Sequence, residues 1–106
     1  MKVITAIIKP FMLDKLSRML VKAPITGFTT CDARGYGRGG EGSDLLNPRV
    51  RVEIVLLDDD VQAVSELFMR SVSTHQEGDG IMFVTNVDSV TNIRTGAVGR
   101  EALLVK

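Results

Sequence analysis

Apolar residues recur along the chain in two different rhythms. Val3, Ile4, Ala6, Ile7 and Ile8 form a short run rich in β-branched side chains, stopped by Lys9-Pro10. Its apolar residues do not simply alternate, which predicts a strand covered on both faces. Leu13, Leu16, Met19 and Leu20 then return at helical spacing, with Asp14, Lys15, Ser17, Arg18 and Lys22 between them. That stripe predicts an amphipathic helix ending near Pro24. Gly27 to Tyr36, carrying Phe28, Thr29, Thr30 and Cys31, reads as a second strand. From Arg49 the period becomes two. Val50, Val52, Ile54 and Leu56 take one face, and Arg49, Arg51, Glu53, Val55 and Leu57 take the other. Asp58-Asp59-Asp60 opens a second helix, whose stripe is Val61, Val64, Phe68 and Val72. Ile81 to Val87 is a fourth strand, and the tail from Asn92 to Arg100 is irregular or a short hairpin.

The order strand, helix, strand, loop, strand, helix, strand is the βαββαβ pattern of ferredoxin-like α+β domains. A chain of 106 residues is one domain by size. Apolar residues make up 44% of it, rich for a small monomer, which hints that some apolar surface is buried between subunits. Charges balance at 13 basic and 13 acidic, without the basic field of a nucleic-acid binder. An RNA-reading sheet would also need stacking aromatics, and the fourth strand holds only Phe83. The single cysteine, Cys31, rules out an intrachain disulfide. The first apolar stretch is too short for a signal peptide core, and no run approaches the roughly 20 apolar residues of a membrane span. The expected location is the cytoplasm, with any membrane contact made through a partner.

Six of the ten glycines fall at Gly27 or between Gly35 and Gly42. The segment from about 37 to 48 is therefore expected to be a mobile loop. Gly35-Tyr36-Gly37-Arg38-Gly39-Gly40 offers close backbone approach and a planar cation to an anion, although alone it reads more readily as a flexible hairpin turn with a solvated arginine. No Walker pattern follows it. Thr74-His75-Gln76-Glu77-Gly78-Asp79-Gly80 reads as a turn whose aspartate caps its own backbone, or as a second phosphate-facing loop. Arg94, in Asn92-Ile93-Arg94-Thr95-Gly96, reads as a surface arginine or a phosphate contact. Asp58, Asp59 and Asp60 suit helix capping better than a metal cluster. His75 and Cys31 are too few and too far apart for a metal site. No nucleophile–base or paired-carboxylate arrangement can be argued from spacing, so no enzyme is expected.

Together, Ile7-Ile8-Lys9-Pro10, Gly35-Tyr36-Gly37-Arg38, Thr74-x-x-x-Gly78-Asp79-Gly80 and Ile93-Arg94-Thr95-Gly96 occur in the order and setting of the PII nitrogen-regulatory family. The resemblance runs from Met1 to about Leu103. It implies a homotrimeric signal-transduction protein that binds ATP, ADP or AMP between subunits and regulates a target protein through the loop. By that resemblance Ile7, Gly27, Phe28, Thr29 and Val55 lie near the base and ribose. Tyr36, Gly37 and Arg38 meet the phosphates, and Gly78, Asp79 and Gly80 wrap them. Arg94 comes from the tail, of the neighbouring subunit.

The chain also departs from the family. The loop is shorter than usual and has no tyrosine for uridylylation. Gly39 replaces the metal-liganding glutamine and offers magnesium no side-chain oxygen, so magnesium-dependent 2-oxoglutarate sensing is not carried over. Ile81 and Asn92 stand where basic residues are usual. Two phosphate partners are thus missing, so ADP or AMP is expected to compete better here than in a typical nitrogen-sensing member. Such divergent members are associated with bicarbonate uptake, metal efflux and other transporters; an ammonium transporter is a further candidate target. Arg49 and Arg51 either hold a small anion such as bicarbonate or are strand arginines paired with Glu53. The remaining alternatives are slow nucleotide hydrolysis and a trimeric interaction module without nucleotide sensing.

Overall fold

The computed structural model describes residues 1–37 and 46–104. Four strands form one antiparallel sheet: β1 (Lys2–Ile8), β2 (Thr29–Gly35), β3 (Asn47–Leu56) and β4 (Gly80–Asn86), in the order β2-β3-β1-β4. Helices α1 (Leu13–Leu20) and α2 (Val61–Val72) cross between the strands of each βαβ half. This is the α+β, ferredoxin-like arrangement expected from the sequence.

Period two in β3 decides which face is covered. Val50, Val52, Ile54 and Leu56 are all buried, and in register with them on β1 are Ile8, Ala6, Ile4 and Lys2. Ile4, Ala6 and Ile8 join Leu16 and Leu20 of α1 and Val64, Leu67 and Phe68 of α2 in one core. Each such leucine, isoleucine or phenylalanine contributes about 1.5–3 kcal/mol by leaving water.

The other sheet face differs from expectation. A strand covered on both sides was expected at β1, yet Val3 and Ile7 on the second face are only half-buried. Thr5 between them is buried, and Leu103 of the tail shares a cleft with Val3. Beside Ile7 and Thr5 on this face, β4 presents Ile81 and Phe83, which are 64% and 43% exposed.

Each helix is entered through a 3-10 turn, Pro10–Met12 and Asp58–Asp60. The aspartates do not cap α2 as expected, for neither Leu57 nor Asp60 at the two N-cap positions makes a side-chain cap bond. Pairing of Lys2 with Leu56 brings the chain start beside Asp58, whose carboxylate binds the Met1 ammonium at 2.8 Å. That hydrogen bond holds the Asp58 carboxyl below its ordinary range. The tail is the short hairpin that the sequence allowed, with Thr91 bridged to Val98.

Candidate functional site

Three clefts gather the glycine-bearing segments. The first, about 430 Å³, lies where β1 and β2 end and β3 and β4 begin, and is lined by Ile7, Gly35, Tyr36, Gly37, Arg49, Gly78, Gly80 and Ile81. The second, about 450 Å³, lies toward the other end of the sheet, between Val3, Thr26, Gly27, Phe28, Thr29, Glu53, Val55 and Leu103. A third, about 320 Å³, continues from Thr26 to Asn92, Arg94, Thr95, Ala97, Glu101 and Leu104.

The residues singled out by the sequence are thereby divided. Tyr36, Gly37, Gly78 and Gly80 come together, and Gly27, Phe28, Thr29 and Val55 come together elsewhere. Ile7 falls in the first group, apart from the residues with which it was expected. Val55 pairs with Val3, four positions along β1 from Ile7, which at strand rise is roughly 13 Å. Arg94 stands in the third cleft, beside the second. Arg38 and Gly39, with the rest of 38–45, lie outside the described residues.

Gly80 is where the first cleft meets the sheet. Its φ is +117°, and a Cβ there would stand 1.9 Å from the Ile7 carbonyl oxygen. Only glycine allows β4 to start so close to the end of β1. Ahead of it, Asp79 organises the loop from within. Its carboxylate accepts the Thr74 N–H at 2.7 Å, the Thr74 hydroxyl at 2.6 Å and the Gln76 N–H at 3.4 Å. His75, at φ 60°, is the positive-φ residue other than glycine that this tight loop contains. The turn reading of Asp79 is therefore realised, and the sequence did not reveal Thr74 as its partner.

These bonds, chiefly the Thr74 hydroxyl, lower the Asp79 pKa. A depressed carboxyl stabilises the folded loop above its unfolded pKa of about 3.9 and loses that contribution as pH falls through the folded value. Protection of the Thr74 and Gln76 amides, relative to their intrinsic exchange rates, is accordingly expected to fall in acid, beginning below about pH 4. In Asp79→Ala, which removes the acceptor, that protection is expected to be lost already at neutral pH. Protection unchanged by acid or by the substitution would contradict the assigned latch.

The two strand arginines separate. Arg51 pairs with Glu53 at 3.0 Å, the ordinary reading of a strand arginine, and lines none of the three clefts. Arg49 lines the first cleft, where its guanidinium donates to the Pro48 carbonyl at 2.7 Å. Ile81, exposed and apolar, lines the same cleft. Among the described residues lining that cleft, Arg49 is the cation.

Asn92 takes a part that the sequence reading missed. Its Oδ1 accepts the N–H groups of Arg94 at 3.0 Å and Thr95 at 3.1 Å. The signal was available: an asparagine followed closely by a threonine and a glycine is a common side-chain-capped turn.

Comparison with known proteins bears directly on this arrangement. The family described as nitrogen regulatory protein P-II matches residues 1–97. A nitrogen regulatory protein P-II of Rhizobium meliloti (strain 1021) is 39% identical over 112 positions, covering 97% of this chain and all of the relative. Those of Azospirillum brasilense and Porphyra purpurea are 38% and 35% identical over the same coverage. The aligned length of 112 exceeds the chain's 106 residues, so these relatives carry positions that this chain lacks. The family match, the near-complete coverage and the antiparallel α+β fold agree: the chain belongs to the nitrogen regulatory protein P-II family, whose members are regulatory proteins and not enzymes.

Proposed function

We propose that the chain is a trimeric nucleotide sensor, in which the first cleft of one copy and the second and third clefts of its neighbour close on one adenine nucleotide. The observation that carries this reading is the division of the glycine-bearing segments into two groups at opposite ends of an open sheet face. Neither group alone encloses a ligand, and a ligand-sized cleft buries most of its occupant. The exposed Ile81 and Phe83, beside half-buried Ile7, support assembly through this part of the sheet. In this arrangement Gly27, Phe28, Thr29 and Val55 meet the base and ribose. Ile7, Tyr36, Gly37, Arg38, Gly78 and Gly80 meet the phosphate side, and Arg94 of the neighbour reaches over the phosphates. Asp79 serves by shaping its loop.

The bound nucleotide biases the segment after Gly37, and that segment docks on a target protein. A membrane transporter for bicarbonate, ammonium or a metal fits a cytoplasmic regulator of this kind. No helix among the described residues is long and apolar enough to cross a membrane, so the target would supply the membrane contact. In the first cleft Arg49 is the cation that meets the nucleotide's phosphates or, in their place, a small anion such as bicarbonate, while Arg51 is engaged with Glu53.

Ile81 sets the charge that the phosphate side accepts. An isoleucine 64% exposed in the first cleft supplies no donor to a third phosphate. Calorimetric titration with ATP, ADP and AMP is expected to give saturable binding, with ADP or AMP bound at least as tightly as ATP. Ile81→Lys is expected to raise ATP affinity about tenfold, the worth of one charge-assisted contact. Addition of magnesium should change these affinities little. Absence of binding by all three nucleotides would overturn the sensor reading and leave an interaction module.

A further inference from the structure

Asn92 is half-buried at the root of the tail hairpin, and its amide oxygen is spent entirely inside the turn. The backbone closes the same turn twice more, the Asn92 N–H donating to the Ala97 carbonyl and the Gly96 N–H to the Asn92 carbonyl, both at 2.8 Å. Thr95 Oγ1 accepts the Ala97 N–H at 3.2 Å, and Gly96 takes the positive φ of 77° that lets the chain reverse. Arg94 is thus held at its own backbone N–H, while its side chain is exposed beside the third cleft. Glu101 lines that cleft as well. A loosely held arginine would be drawn to this carboxylate, because the two charges attract at short range. A long side chain also loses rotamer freedom on binding, and an anchored Cα reduces the freedom left to lose.

We propose that Asn92 is a positioning residue for Arg94, fixing the turn so that the guanidinium meets the anionic end of the bound nucleotide and not Glu101. This rests on the intersubunit nucleotide cleft proposed above. It also gives a physical reason for an asparagine at this place: an arginine has five donors and no acceptor, so it would leave the N–H groups of Arg94 and Thr95 without their side-chain partner. The turn then holds one cation on an anchored backbone, Arg94, where two neighbouring ones would compete for the same carboxylate.

The test is a double-mutant cycle on the full chain with Asn92→Ala, Arg94→Ala and both together, read by calorimetric titration with ADP and by amide exchange at residues 94 and 95 without nucleotide. Asn92→Ala is expected to speed exchange at both amides and to weaken ADP binding about fivefold to tenfold, a part of the effect of losing the Arg94 contact altogether. In the Arg94→Ala background it should weaken ADP binding no further. Asn92→Asp, which keeps an acceptor, should restore slow exchange. An equal loss of ADP affinity with and without Arg94 would overturn the proposal, as would unchanged exchange in Asn92→Ala. Failure of the unaltered protein to bind ADP would overturn it together with the nucleotide reading. Binding that Arg94→Ala weakens but Asn92→Ala does not would overturn this inference alone.

Discussion

Gly80→Ala is expected to destabilise the fold by roughly 3 kcal/mol or more and to abolish nucleotide binding. Two independent costs meet at this position. The φ of +117° is one that L side chains rarely adopt, and the added Cβ would lie 1.9 Å from the Ile7 carbonyl oxygen and 3.0 Å from its carbon. Both obstacles are backbone atoms of the central strand, so no side chain can swing aside. Relief requires β4 to shift away from β1, which breaks the Ile8 to Gly80 register and withdraws Ile81 from the first cleft. Thermal unfolding should show a fall in Tm of at least roughly 10 °C for a domain of this size. Gly37→Ala and Gly27→Ala are the controls. A Cβ at either glycine meets nothing within 4 Å, and neither has a positive φ. A Gly80→Ala protein melting within a degree or two of these controls would contradict the close approach.

The next largest effects concern ligand affinity. Arg49→Ala and Arg94→Ala are each expected to weaken ADP binding about tenfold to a hundredfold, since a charge-assisted hydrogen bond contributes about 1.5–3 kcal/mol. Neither arginine belongs to the core, so Tm should stay nearly unchanged in the unliganded protein. The two act from different ends of the sheet, Arg49 in the first cleft and Arg94 in the third. A stability loss comparable to the affinity loss would show that these side chains hold the fold, and would remove them from the proposed site.

The fold was legible because β3 writes its burial plainly. Val50, Val52, Ile54 and Leu56 alternate with polar or half-buried residues, and the helical stripes end in the same core. The partial cover on the second face of β1 was not legible, because Val3 and Ile7 are apolar whether the second layer is the same chain or another copy. The aspartate triplet misled for a different reason. Capping preference is local, and the partner that Asp58 found, the Met1 ammonium, comes from the far end of the sequence.

The candidate site was legible as segments and not as a place. Glycines at 35, 37, 78 and 80 mark where backbone comes close, but spacing along the chain cannot say that Gly80 abuts Ile7 while Val55 abuts Val3. Ile7 was therefore grouped with the wrong neighbours. Arg51 and Arg49 looked equivalent because they share a strand face, and only the side-chain geometry separates the one held by Glu53 from the one in the cleft. Asn92 was read by the charge it lacks, whereas its place in the structure follows from the oxygen it has.

The central claim is that one nucleotide site needs two copies of the chain, and mixing two defective variants tests it most directly. Arg49→Ala disables the first cleft of its own copy, and Arg94→Ala disables the third. Unfolding the two together and refolding them as mixed assemblies places an intact first cleft against a neighbour's intact third cleft at some junctions. For random mixing in a cyclic trimer that is roughly a quarter of the sites. The account predicts that ADP titration of the mixture recovers about that fraction of sites at unaltered affinity, although neither variant alone binds so tightly. A mixture that binds no better than the average of its two components would contradict the shared site.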